Sequence, residues 1–396
     1  MRTSVPQPPA VLTFVFAAAS LGCGACADDH LPAASAAAEP GAVTATEVHG
    51  ACAPGLARPA GGFAGIVEIP SLGGNKVFVE DINDDGVAVG AESTADGIFH
   101  AIRYTDLGGV QDLGALSGFS GGQSFASAIA ANGTIAGHSD RGDGSGVLYG
   151  YAFTATAGRT ALCPGGCSVW DLNAAGQMVG LLPGRDPTSW QAFVTSTSGG
   201  LRTLGTLGGA RSSASGISEA GLIVGNSQLA SSPAGDIGHA FLYDARAEKP
   251  QMRDLNGVAR APGWVLQAAN DVNEKYVVGY GLTGGNQRAF RLDLASGAVQ
   301  DLGTTPGGGP SVAWSVDVYG DVVGWAETPR GGRNEALVYA AGLGGGQRLG
   351  DLVSPALGWT LVQANGINAH GSIVGWGYHQ GVPRGFKLTL PVCVGK

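Results

Sequence analysis

Four oxygen-bearing side chains are spaced as in a calcium-binding loop. Asp81, Asn83, Asp85 and Glu92, with Gly86 at the bend, fit the pattern D-x-[DN]-x-[DN]-G-x5-E at every fixed place. Alternating oxygens followed by a distant carboxylate can wrap a hard cation. A plainer reading stands beside it, because Asn83 and Gly86 are also the turn residues of a repeat whose sister units lack the full set. A second acidic set is Asp81, Asp171, Asp271 and Asp317, assigned to the place two residues before the asparagine of each unit, where three other units carry Ala128, Gly216 and Gly366. On strands lining a channel, these carboxylates would ring one mouth and take a cation or a sugar; alternatively each bonds the amides of the following turn. Trp325 and Trp376 both follow a recurrent Val-Val-Gly phrase, while Trp264 and Trp359 occupy matching places in two longer units. Exposed indoles stack on sugar rings and anchor interfaces, and buried ones wedge between packed sheets.

Catalytic signatures are missing from the sequence. GFSGG at 118–122 spells G-x-S-x-G, but it sits in a Gly-rich link between a DLG strand and the next small-residue strand rather than at a strand-to-helix elbow, and there is no P-loop and no H-E-x-x-H. His100 and His239 open equivalent segments, but the sister places hold Tyr151, Gln191, Arg288, Glu335 and Arg384, which excludes a ring of histidine ligands. The formal net charge of −9 and the lack of any basic run argue against a nucleic-acid partner.

The elements that would position these groups come from a repeat. Asn-x-x-Gly-x-Val-Val-Gly recurs seven times, its last glycine at Gly90, Gly137, Gly180, Gly225, Gly279, Gly324 and Gly375. Each unit divides into four strands: a small-residue strand before the asparagine, a β-branched strand after the turn, a third of the form HAF at 239–241, and a DLG strand. Val and Ile fill pleated faces while Asn and Gly take the turns. The seventh unit ends near Leu390 without its fourth strand, and GIVEIPSLGG at 65–74 has that form before any repeat begins. The expectation is an all-β protein, a single β-propeller of seven blades, each of four antiparallel strands, with this N-terminal strand closing the last blade. Closure removes the open sheet edges that a linear array would keep. The loops at 138–150 and 226–238 are the expected contact surface.

The N-terminal end is an export signal. Residues 1–27 carry Arg2, an apolar stretch from Ala10 to Leu21, and then small residues. Two endings compete: a lipobox-like Ala19-Ser20-Leu21-Gly22-Cys23 that would lipidate Cys23, or cleavage after Ala27. Residues 28–60, rich in Ala and Pro, read as a flexible, disordered tether, and 61–396 hold the propeller. In an oxidising compartment the remaining cysteines pair as Cys163–Cys167 and Cys52–Cys393, the latter joining the two ends of a closed ring.

The phrases DLGTLGG, IN-x-x-G-x-VVG and His239-Ala240-Phe241, together with Leu204 to Gly209 and the longer units at 254–273 and 351–368, resemble the extracellular HAF-repeat family. The resemblance covers about residues 65–390, implies an exported bacterial repeat protein, and carries no catalytic residues to transfer. The reading that follows is a monomeric, non-catalytic binding or scaffold module at the cell surface, reaching the membrane only through a lipid at Cys23. Its partner would be a polysaccharide or a surface protein, with no cofactor unless calcium fills the Asp81–Glu92 loop. The alternatives are a polysaccharide-acting enzyme with acidic residues at the channel, and a purely structural surface protein.

Overall fold

The computed structural model describes residues 55–57, 62–116, 121–184, 186, 188–197, 200–232, 238–329, 332–340, 343 and 345–393. The signal segment, Cys23, Ala27, the 28–54 part of the tether and Cys52 lie outside them, as do 233–237 of the second contact loop. Blade one is Val77–Ile82, Ala88–Ser93, Phe99–Thr105 and Gly109–Gly114, an antiparallel meander. The same order repeats over 124–161, 168–205, 208–254, 264–303 and 311–348. Blade seven is Trp359–Ile367, Ser372–His379 and Val382–Thr389, completed by Gly65–Ile69 paired antiparallel to its third strand. The expected N-terminal closing strand is therefore present.

First strands are innermost, each lying against those of the blades on either side, including blade seven against blade one. The apolar interior is divided among the seams. Val89 and Ala101 of blade one pack with Ala126 and Ile135 of blade two, and Val374 of blade seven packs with Val77 and Val79 of blade one. The phenylalanine of the HAF phrase points into these seams. Phe193, Phe241, Phe290 and Phe386 are fully buried, each contributing about 2–3 kcal/mol by leaving water.

The Val-Val-Gly glycine has a steric cause. In blade one Val79 faces Gly90 and Asp81 faces Val89, so Glu80 is an extra, bulged residue. Corresponding bulges fall at Ser127, Trp170, Ser215, Asn270, Trp314 and Asn365. Each bulge presses the first strand onto the second. A methyl at Gly90 would stand 2.1 Å from the Phe78 carbonyl oxygen, and one at Gly225 would stand 1.9 Å from that of Ser213. No side chain fits there.

Register corrects two of the sequence assignments. Gly137 faces Tyr151, so the HAF equivalent in blade two is Tyr149-Gly150-Tyr151 and Tyr149, not Tyr151, holds the histidine place. Gly150 replaces the alanine because a Cβ there would meet the Cys167 sulfur at 2.7 Å. In blade six Ser315 faces Val323 and holds the place of Asp81, so Asp317 is the asparagine equivalent and leaves the acidic set. Cys163 and Cys167 form the expected local disulfide. Gly55–Leu56 pairs with Val392–Cys393, which brings the main chain three residues beyond Cys52 beside Cys393.

Replacing Gly225 with Ala should cost about 3 kcal/mol through overpacking. Gly133, at a turn with open space around it, is the control position for a steric cause and strains only through its φ of +79°. Chemical denaturation of both variants checks the ranking, and a Gly225→Ala protein as stable as the parent would remove the steric account.

Candidate functional site

The three remaining aspartates are clips between blades. One oxygen of Asp81 accepts the Ile82 amide of its own strand at 2.7 Å, and the other accepts the Ile129 amide of blade two at 2.8 Å. Asp171 spans Leu172 and Ile217 in the same way, and Asp271 spans Val272 and Val316. Each carboxylate bonds one local amide and one from the next blade rather than the amides of the following turn, and the three sit on innermost strands near enough to feel one another's charge. The asparagines two residues on repeat the device, with Asn83, Asn173 and Asn273 donating to the carbonyls of Ala130, Ser218 and Asp317. Ser124, Ser212 and Ser311 bind the same three seams from the other end of the strands. Blades therefore associate as one–two, three–four and five–six. The signal was present in the sequence as Asp-x-Asn alternating with an opening Ser, but it has a two-unit period.

Burial pushes the Asp81 carboxyl up to about 6 against the pull of its two amides. Asp171 is raised well above the usual carboxylate range by burial and then by the Asp271 charge, and Asp271 is raised by burial. Asp317 rises to about 7 through burial and its neighbour Asp321.

The calcium pattern is not assembled. Asp81 faces Val89 while Glu92 faces Val77, so the two carboxylates sit at different points along the hairpin. Asn83 is committed to Val87 and Ala130, and Asp85 stands exposed in the turn. Glu92 turns to the Ser71 hydroxyl and the Leu72 amide instead. Among the described residues, no three acidic, histidine or cysteine groups lie close enough to hold an ion.

The HAF histidine and the DLG aspartate meet across strands. His100 reaches Asp112 at 3.0 Å and His239 reaches Asp254 at 2.7 Å, while in blade seven Arg384 and His379 share Glu68. The His100, His239 and Arg384 pairs tie the third strand to the fourth, which explains why the two phrases travel together. Trp264 and Trp359 pack edge-on against Phe290 and Phe386 with matching geometry, at 6.3 and 6.2 Å, and act as wedges within their seams.

Trp376 behaves differently, for it begins a continuous aromatic belt. Its ring meets Phe78 of blade one edge-on at 5.3 Å and Tyr378 at 6.0 Å. From Phe78 the belt continues through Phe99, Phe125, His138 and Trp170, with centroids 5.1 to 5.9 Å apart, and so crosses blades seven, one, two and three. Burial holds the His138 imidazole down to about 4, so it enters the belt as a neutral ring. Trp376, Phe78, Phe99, Phe125 and Trp170 are half-buried, and Tyr378 is 40% exposed. Trp325 faces Val312 in blade six, outside the belt, with no partner for its indole nitrogen among the described residues.

A polar chain runs beside the Trp376 end. Gln363, cross-strand from Trp376, donates to the Asn365 side-chain oxygen at 2.8 Å, and Asn365 donates to Glu80 at 3.1 Å. Glu80 stands exposed at its bulge. The site thus offers aromatic faces flanked by an amide, a second amide and an exposed carboxyl.

Because the aspartate carboxyls have raised values in the folded state, the fold binds more protons than the unfolded chain between about pH 4 and pH 7. Stability should therefore fall as pH rises through that window, with a lower thermal midpoint at about pH 8 than at about pH 5. Asp171→Asn should flatten the dependence. Asp171→Ala, which orphans the Ile217 amide, should cost about 2 kcal/mol. A midpoint that rises from about pH 5 to about pH 8 would contradict this assignment of the carboxyls.

No protein-family model matches the chain, and no curated protein matches it. Solved structures do. The β-propeller domain of the trilobed protease from Pyrococcus furiosus, described as having an open velcro topology, aligns with a TM-score of 0.51 at 10% identity, over 82% of this chain and 96% of that one. An oligogalacturonate lyase in complex with manganese gives a TM-score of 0.51 at 11% identity, over 86% and 97%. TolB from Acinetobacter baumannii aligns at 0.44 and 16% identity, over 66% of this chain and 62% of TolB. At such identities the likeness is one of fold: the chain is a β-propeller protein.

Proposed function

We propose that this protein is a non-catalytic, exported binding module of the HAF-repeat type that takes polysaccharide at the cell surface. The observation that carries the reading is the ledge of Trp376, Tyr378 and Phe78 beside the chain Gln363–Asn365–Glu80. Pyranose rings present apolar C–H faces to aromatic side chains and equatorial hydroxyls to planar amides and carboxylates. The net charge of −9 suits a neutral glycan better than a polyanion. Residues 1–27 direct export, and either a lipid on Cys23 or cleavage after Ala27 sets whether the module stays on the membrane.

A second reading, an enzyme acting on polysaccharide, draws support from the exposed carboxyl of Glu80, held by Asn365 beside the ledge. Binding of the purified protein to a panel of bacterial, plant and algal polysaccharides, with and without EDTA, separates the readings. Saturable binding is expected, unchanged by EDTA, with Trp376→Ala weakening it about tenfold while the thermal transition is kept. Glu80→Gln should change affinity modestly in a binder and abolish product formation in an enzyme. Silence on every glycan would sink the ligand class and leave a surface protein as the partner.

A further inference from the structure

Seven is odd, so a ring clipped in pairs must leave one blade over. Blade seven reaches blade one through Asn365 to the Val79 carbonyl and Asn368 to the Asn83 carbonyl. On its other side the devices run out. Blade six offers Ser315 where Asp81 would stand, and blade seven offers Gly366. The connector between blades four and five has Asn256, which bonds both the amide and the carbonyl of Leu266. The connector between blades six and seven, built on the same pattern, has Val353 in that place. Among the described residues no aspartate or asparagine clip crosses from blade six to blade seven.

That seam is instead filled from the N-terminal side. Leu56 is 0% exposed and packs among Val323 and Val338 of blade six and Leu361, Ile367 and Phe386 of blade seven. Its amide donates to Asp321 of blade six at 2.7 Å, while the Ala57 amide donates to the Pro391 carbonyl after blade seven. Gly55, at a φ of +128°, leaves no room for a side chain, since a Cβ would stand 2.8 Å from the Asp321 carboxylate. Gly371 at the blade-seven turn lies equally close beneath Leu56 and Val392.

We propose that Gly55–Leu56 is a latch, a strap that closes the one seam the side-chain clips leave open and whose withdrawal parts blade six from blade seven. The strands on the two sides of that seam carry Trp325 and Trp376. Withdrawal of Gly55–Leu56 would therefore loosen the face of blade seven that packs on blade six through Ile373, opposite the face that Val374 and Trp376 present to blade one.

Hydrogen exchange on the full-length protein tests this with Leu56→Ala and Asp321→Ala. Asp321→Ala removes the acceptor of the Leu56 amide and also relieves the like charge beside Asp317, so it should fold. In both variants, amides of 322–327 and 359–367 should exchange at least tenfold faster, while Ile129, Ile217 and Val316 at the clipped seams keep their protection. Equal acceleration at every seam, or none at the sixth, would overturn the latch. If Leu56→Ala fails to fold, Asp321→Ala decides, and its global unfolding would likewise show an ordinary core contact.

Discussion

Every blade depends on one close approach, the first-strand carbonyl resting on the glycine of the second strand. Seven bulges generate it, and seven glycines permit it. The bulge kinks the innermost strand and sharpens its twist, as bulges do at barrel rims. It also turns the following residue toward the neighbouring blade, which places Asp81, Asp171 and Asp271 within reach of the next strand's amides. A residue with a side chain in place of the glycine would push the strands apart and lose the aim of the carboxylate as well as the packing.

On that frame the ring is held by unlike means at unlike seams. Three seams carry an aspartate, an asparagine and a serine together. Such buried carboxylates are costly to desolvate and stable only because both oxygens are bonded. The other seams are held differently: blades two and three share the link from Asn132 to the Ala174 carbonyl, while blade seven reaches blade one through Asn365, Asn368 and Lys387. The small residues opposite the clips, Ala128, Gly216 and Ser315, belong to the same design. A side chain on Gly216 would strike the Asn270 carbonyl and the Asp271 main chain at 3.0 Å.

Strand order, blade number and the strand that completes the last blade are legible in the sequence because a bulge-and-turn phrase recurs with little variation. Functional chemistry is less so. The calcium pattern around Asp81 matches at every place yet describes a hairpin, in which residues eleven apart along the chain separate rather than converge. Asp317 lies seven residues before Gly324, as Asn83 lies before Gly90, so spacing alone already puts it at the asparagine place, and its acidic side chain is what drew it into the wrong set. Trp376 stands out in the sequence, but its partners Phe78, Phe99, Phe125, His138 and Trp170 are spread over other blades, and neighbourhood across blades is invisible to a single strand's pattern. The pairing of blades escapes a comparison of the repeat one unit at a time.

The strand Gly65–Ile69 precedes every blade yet pairs with Val382–Thr389, so Arg384 and Glu68 are joined across 316 residues. Synthesis proceeds from the N-terminus, and this strand must wait, unpartnered, until the chain is nearly complete. Its exposed edge is the kind that invites mispairing during that interval. The alternation of Val67 with Glu68 places a charge within it, a natural guard against premature association. Long-range closure of this sort also slows folding, because the loop entropy is spent before the contact forms. The circle therefore cannot shut before its last arc has arrived.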